Sequence, residues 1–150
     1  MDLYRERLYP APWLFIASAL IIPITILILA PINLPVGVVL AVVFYVAIVI
    51  SYLATTPTLR VTAAEFTAGR ARIPLEYVGE VTGYNDDEAS LERGQRLDAR
   101  AWLLIRGWIK PVVKVPVLDV DDPAPYWVIS TRNPDRLVRV LNEARLAPLP

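Results

Sequence analysis

From Leu8 to Leu59 the chain carries no charged side chain; Arg7 is the last charge before this stretch and Arg60 the first after it. The remainder of a 150-residue protein is too small to cover that much apolar surface in water, whereas a bilayer covers it directly. The pattern therefore predicts a membrane protein, with the lipid bilayer as its first partner.

Two apolar runs stand out within the stretch, residues 13–30 and 36–53. At about 1.5 Å per helical residue, each reaches the thickness of a hydrocarbon core of about 30 Å. Pro31, Asn33 and Pro35 lie between them and predict a break, because proline lacks the helical N–H donor and disfavours helix in the residue before it. The expectation is a tight two-helix transmembrane hairpin, with a proline kink at Pro23 in the first span.

Arg5 and Arg7 precede the apolar stretch, and Arg60, Arg70 and Arg72 follow it. The positive-inside rule then places both termini in the cytoplasm, with Tyr4, Tyr9, Trp13 and Tyr52 as interfacial anchors. The spans hold no ionisable acid or base, which speaks against a proton relay or ion site at membrane depth. Gly37-x-x-x-Ala41 is their only Gly-x-x-x-Ala, too little to favour a homo-oligomer.

The polar remainder is different in kind. Residues 60–150 hold all but two of the 15 basic side chains and all but two of the 15 acidic ones. The chain's net charge is zero, which argues against bulk electrostatic binding to nucleic acid. Cysteine and histidine are both absent, so disulfides, thiol chemistry, Cys/His zinc sites and Ser-His-Asp triads are excluded.

Short extended segments dominate this part. Residues 59–62 and 65–68 read as a hairpin, Gly69 as the next turn, and residues 75–84 as another extended piece. Residues 86–97 are charged and read as a short helix or a loop. Strands follow at 101–105, 109–118 and 126–130; Pro111 and Pro116 predict an edge or bulged position for the middle one. Asn133 as N-cap, Pro134 at the first helical position and Asp135 in the first turn predict a C-terminal helix over 134–145. The domain expectation is therefore 1–57 as N-terminal segment and hairpin, then 58–147 as a small antiparallel, pleckstrin-homology-like β domain closed by a helix.

The N-terminal Tyr4-Arg5-Glu6-Arg7, the segment 73–80 and above all residues 121–134, with Asp121-Asp122-Pro123 leading to Tyr126-Trp127 and then Ser130-Thr131-Arg132, resemble the DUF3093 family of actinobacterial membrane proteins. The resemblance covers nearly the whole chain. It implies a source and a membrane location and brings no activity with it.

Three residue groups are candidates for function. Asp119, Asp121 and Asp122 would offer carboxylates to a divalent cation, but they lack the glycine and distal glutamate of a calcium loop, and a solvated turn explains them better. Tyr126 and Trp127 must point to opposite faces of a strand, so one of them, with Arg132, would form an aromatic-plus-arginine binding surface. The bland alternative is a core Trp127, with Arg132 pairing to Asp121 or Asp122. Finally Arg106, Trp108 and Lys110, with Lys114 beyond, would either dip into an anionic leaflet or form an ordinary turn with one packed tryptophan.

No catalytic motif is present: there is no nucleophile elbow, no phosphate-binding glycine loop, and Glu76 and Glu80 have no evident partner. No cofactor and no metal are expected. The sequence thus points to a non-catalytic, membrane-tethered interaction module that meets a protein partner through Tyr126, Trp127, Arg132, Trp108, Arg106 or Lys110. The alternative is a binder of anionic lipid headgroups using Arg70, Arg72, Arg106, Lys110 and Lys114.

Overall fold

The computed structural model describes residues 2–147. The chain divides into two compact units, Met1–Leu8 with Pro57–Pro150, and Tyr9–Thr56. The apolar segment is thus an insertion into the polar unit, and residues 1–57 do not form one body.

The apolar unit contains α1 (Pro12–Ser18) and α2 (Ile21–Ala54). Its first break, at Ala19 and Leu20, lies four residues before Pro23, which cannot supply the N–H that the Ala19 carbonyl would accept. Inside α2 only Asn33 leaves helical geometry, at φ −159° and ψ 102°. Pro35 disfavours helix just before itself, and the Asn33 side-chain oxygen accepts the Val36 N–H at 3.2 Å, capping the helix that resumes. The kink sets Gly37 close to Leu29 and Ile26, where an added Cβ would stand 3.0 Å from the Leu29 Cβ and would have to displace it slightly. It also brings the Phe15 ring edge-on to Tyr52 at 5.7 Å, while the Ser18 and Tyr52 hydroxyls meet at 3.1 Å. Gly37 and Ala41 are buried within the chain itself.

The fold class read from the sequence is corrected here on two counts. Among the described residues one helical stretch, Pro12–Ala54, is long and apolar enough to cross a membrane by length and composition. It stands where a pair of spans at 13–30 and 36–53 was expected; within it two helices meet at a kink at Asn33, with no separate loop over residues 31–35. The second count concerns the β domain, which holds two sheets and includes one parallel strand pair, where a purely antiparallel sheet was expected.

The polar unit contains two four-stranded sheets. The first has the order β1 (Tyr4–Arg7), β2 (Thr58–Val61), β3 (Glu65–Ala68), β4 (Ala71–Pro74), all antiparallel. Its first strand precedes the apolar segment. A 3-10 turn, Leu75–Tyr77, leads to the second sheet, whose order is β5 (Thr82–Tyr84), β7 (Val112–Pro116), β8 (Tyr126–Ser130), β6 (Trp102–Leu104). In that sheet β6 runs parallel to β8. Strand β7 is central rather than at an edge. Its prolines fall at the strand ends, where the Pro111 and Pro116 carbonyls accept N–H groups from Thr131 and Gly79.

Residue alternation explains why the two sheets meet. Leu59, Val61, Phe66 and Ile73 point inward from the first sheet, and Val113, Val115, Trp127 and Ile129 from the second. Phe66 and Trp127 approach to 6.1 Å across this core. The helix α4 (Pro134–Leu146) adds Leu137 and Leu141, both fully buried. Burying each such side chain contributes roughly 2 kcal/mol. Asn133 occupies the N-cap position of α4, but its side chain makes no capping bond. The helix α3 (Asp86–Arg93) covers the outer face of the second sheet, where Ala89 packs on Val112 and Val128.

Candidate functional site

The residues singled out by sequence are dispersed over the polar unit instead of forming one surface. Trp127 is a core residue, 4% exposed, with Trp102 at 4.7 Å. Tyr126 lies on the opposite face, as strand alternation requires, but α3 and the segment after it cover that face. Its hydroxyl accepts the Asp98 N–H at 2.7 Å and donates to the Arg96 carbonyl. Lys114 stacks over the Tyr126 ring at 4.3 Å and bonds Glu92 at 3.0 Å. Lys114 is thereby committed to structure.

Trp108 packs against the main core, with Arg106 5.9 Å from its ring, and Lys110 beside it is exposed. The Trp108 indole nitrogen is buried without a hydrogen-bond partner among the described residues. Asp119 and Asp122 accept backbone N–H groups from Asp121 and Ala124, which is turn chemistry. No group of three or more acidic side chains among the described residues is placed to hold a metal ion.

The bonds described for Arg132 are with the N-terminal strand, not the Asp121–Asp122 turn that the sequence offered. Arg132 follows β8 to the N-terminal strand: its backbone N–H donates to Glu6 at 2.9 Å, and its guanidinium reaches the Arg7 carbonyl. Thr131 donates its hydroxyl to the same Glu6 carboxylate, and so does Tyr4. The pKa of the Tyr4 hydroxyl is pushed up to about 12 by burial and by its bond to Glu6. Tyr4 is 4% exposed and belongs to the core, so it is no interfacial anchor. The guanidinium of Arg136 stacks over its ring at 5.7 Å.

These contacts sit where the apolar segment begins and ends. Register pairs Arg7 with Thr58, and the Leu8 N–H donates to the Pro57 carbonyl at 3.0 Å. Gly69 turns at φ +62° beside Pro57 and Leu104. The Arg106 N–H donates to Ser130, the residue just before Thr131. Arg132 and Arg7 meet there through the Arg132 guanidinium and the Arg7 carbonyl. Sequence reasoning missed Glu6 because a four-residue polar strand carries no hydrophobic alternation. It likewise missed Glu92, a buried carboxylate held by Lys114 and Arg96.

The chain belongs to DUF3093, described as a protein of unknown function, whose family model matches residues 3–141. No curated protein and no solved structure matches the chain.

Proposed function

We propose that this member of the DUF3093 family is a non-catalytic, membrane-tethered module. It holds its polar unit at the cytoplasmic face of a bacterial plasma membrane and presents it to a protein partner. The observation that carries this reading is the pairing of β1 with β2, closed by the Leu8–Pro57 bond. Both flanks of the apolar segment are locked into one sheet, so the chain leaves and re-enters the polar unit at one fixed root. Arginines on both flanks support the cytoplasmic placement. A non-catalytic role is supported by the use of Glu6 and Glu92, whose carboxylates hold neighbouring elements together.

The exposed Arg70, Arg72 and Lys110, with the partly exposed Arg106, favour a second reading, contact with anionic lipid headgroups. Each basic side chain near such a surface contributes about 1 kcal/mol, so four of them would orient the unit without making it a specific lipid receptor.

Purification of the full-length protein from its native membrane in mild detergent tests both readings. A protein recovered in fixed stoichiometry supports the module. Recovery of the chain alone, with anionic lipid retained, supports the headgroup reading and removes the partner.

A further inference from the structure

We propose that the loop Leu118–Asp122, with the adjoining Tyr77, is the docking surface for a basic, apolar segment of the partner protein. This rests on reading the polar unit as a partner-presenting module. Val120 is 96% exposed, Leu118 59% and Tyr77 38%. Val78 bridges Val117, and the Leu118 N–H donates to the Tyr77 carbonyl at 2.8 Å, so Tyr77 and Leu118 stand side by side.

The loop is fastened rather than slack. The Val117 N–H reaches the Pro125 carbonyl, the Asp122 N–H reaches the Asp119 carbonyl, and the Asp119 and Asp122 side chains each hold a backbone N–H. A pinned loop that points its apolar side chains into water is organised for contact.

Location and charge identify the occupant. Register sets Val112 opposite Ser130 at one end of β7–β8 and Pro116 opposite Tyr126 at the other. The loop therefore lies one strand length, about 15 Å, from the Ser130–Thr131 end where the apolar segment attaches. Segments 75–80 and 115–125 contain Glu76, Glu80, Asp119, Asp121 and Asp122 and no lysine or arginine. Arg145 on α4 is bonded to Asn142, beside Val81. An anionic leaflet would be repelled by these carboxylates, whereas a segment carrying Lys or Arg beside apolar side chains would meet complementary charge and apolar surface together.

The test uses full-length protein in nanodiscs of zwitterionic lipid, with two fluorescent peptides as probes, one alternating Leu with Lys and the other Leu with Glu. The Leu–Lys peptide is expected to bind, and Val120→Arg to weaken it at least about tenfold, a 1.4 kcal/mol effect. Leu103→Arg, at another exposed apolar position, leaves binding unchanged. Equal binding of both peptides, or no effect of Val120→Arg, overturns the proposal. A photoreactive residue placed at 120 or at 103 in the full chain, in its native membrane, separates the two layers of the argument. A protein adduct from position 120 that Asp121→Lys abolishes agrees with the loop. A protein adduct from 103 with none from 120, or a self-adduct from 120, overturns the loop and leaves a partner. No protein adduct from either position overturns both.

Discussion

Thr131 donates its hydroxyl to the Glu6 carboxylate across 125 positions of chain, the full length of the apolar insertion and most of the β domain. The bond joins the strand before the apolar segment to the loop after β8. Glu6 also accepts from Tyr4 and from the Arg132 backbone, so one carboxylate satisfies three donors. Charge-assisted bonds of this kind contribute more than neutral ones, and losing all three leaves Thr131 buried without its acceptor. Glu6→Ala is therefore expected to destabilise the polar unit by about 3 kcal/mol. Thr131→Val, which removes one donor to Glu6 and the acceptor of the Asn133 N–H, should cost about 1 kcal/mol. Thermal unfolding in detergent, followed through the near-ultraviolet dichroism of the core tryptophans, measures both. Equal stability of Glu6→Ala and the native chain would show that the root is held by strand pairing alone.

Glu92 presents the opposite balance. Its side chain is 4% exposed, with Lys114 at 3.0 Å on one oxygen and Arg96 at 3.2 Å on the other. Removing one partner from a buried carboxylate strands a charge in a poorly solvated site, while removing both charges leaves an apolar interior. Lys114→Met is expected to cost about 2–3 kcal/mol, below the roughly 3–5 kcal/mol of a fully stranded charge, since Arg96 remains. Combining it with Glu92→Leu should recover most of that loss. A double-mutant cycle on the unfolding free energy checks the sign; additivity of the two changes would mean that the pair is uncoupled.

How much of this was legible in the chain depended on range. The strand over 126–130 and the helix beginning at Pro134 were readable because alternation, an asparagine and a proline act within a few residues. Strand β1 was not, because YRER shows no apolar period and its partner lies beyond the whole apolar insertion. The central position of β7 was hidden for a related reason. Pro111 and Pro116 argue for an edge until their placement at the strand ends is known. Among the candidate site residues, Trp127 and Tyr126 proved to be covered on both faces, which strand alternation allows but does not specify. The role of Arg132 depended on Glu6 and Arg7, which no local pattern connects to it.

Tyr4 supplies a pH dependence with a definite sign. Its hydroxyl ionises near 10 in an unfolded chain and is pushed up to about 12 in the folded one, first by burial and then by the bond to Glu6. The protonated form is thus favoured by folding. Its contribution is fully present below pH 10 and is lost as pH rises from 10 towards 12, where the unfolded state sheds the proton first. Tyr4→Phe should flatten that part of the stability–pH curve. Unfolding measured at several alkaline pH values in both proteins checks it. An unchanged slope in the variant would place the dependence on another group.

Gly79 sets how closely the segment after the 3-10 turn can lie on β7. It is buried, its N–H donates to the Pro116 carbonyl at 2.9 Å, and a Cβ there would stand 2.9 Å from the Pro116 Cβ. Neither atom belongs to a flexible chain end, so the strain of Gly79→Ala must be taken up by backbone movement. Overpacking of this kind costs about 1–3 kcal/mol. Gly107 provides the contrast: a Cβ there would meet nothing within 4 Å, and Gly107→Ala is expected to leave stability within about 0.5 kcal/mol. Because Gly79 also positions Tyr77 and Leu118, its substitution should weaken the Leu–Lys peptide as well as the fold, whereas Gly107→Ala should alter neither. Unfolding and peptide binding measured on the two variants side by side would expose a mistaken account if Gly79→Ala lost stability with peptide affinity intact.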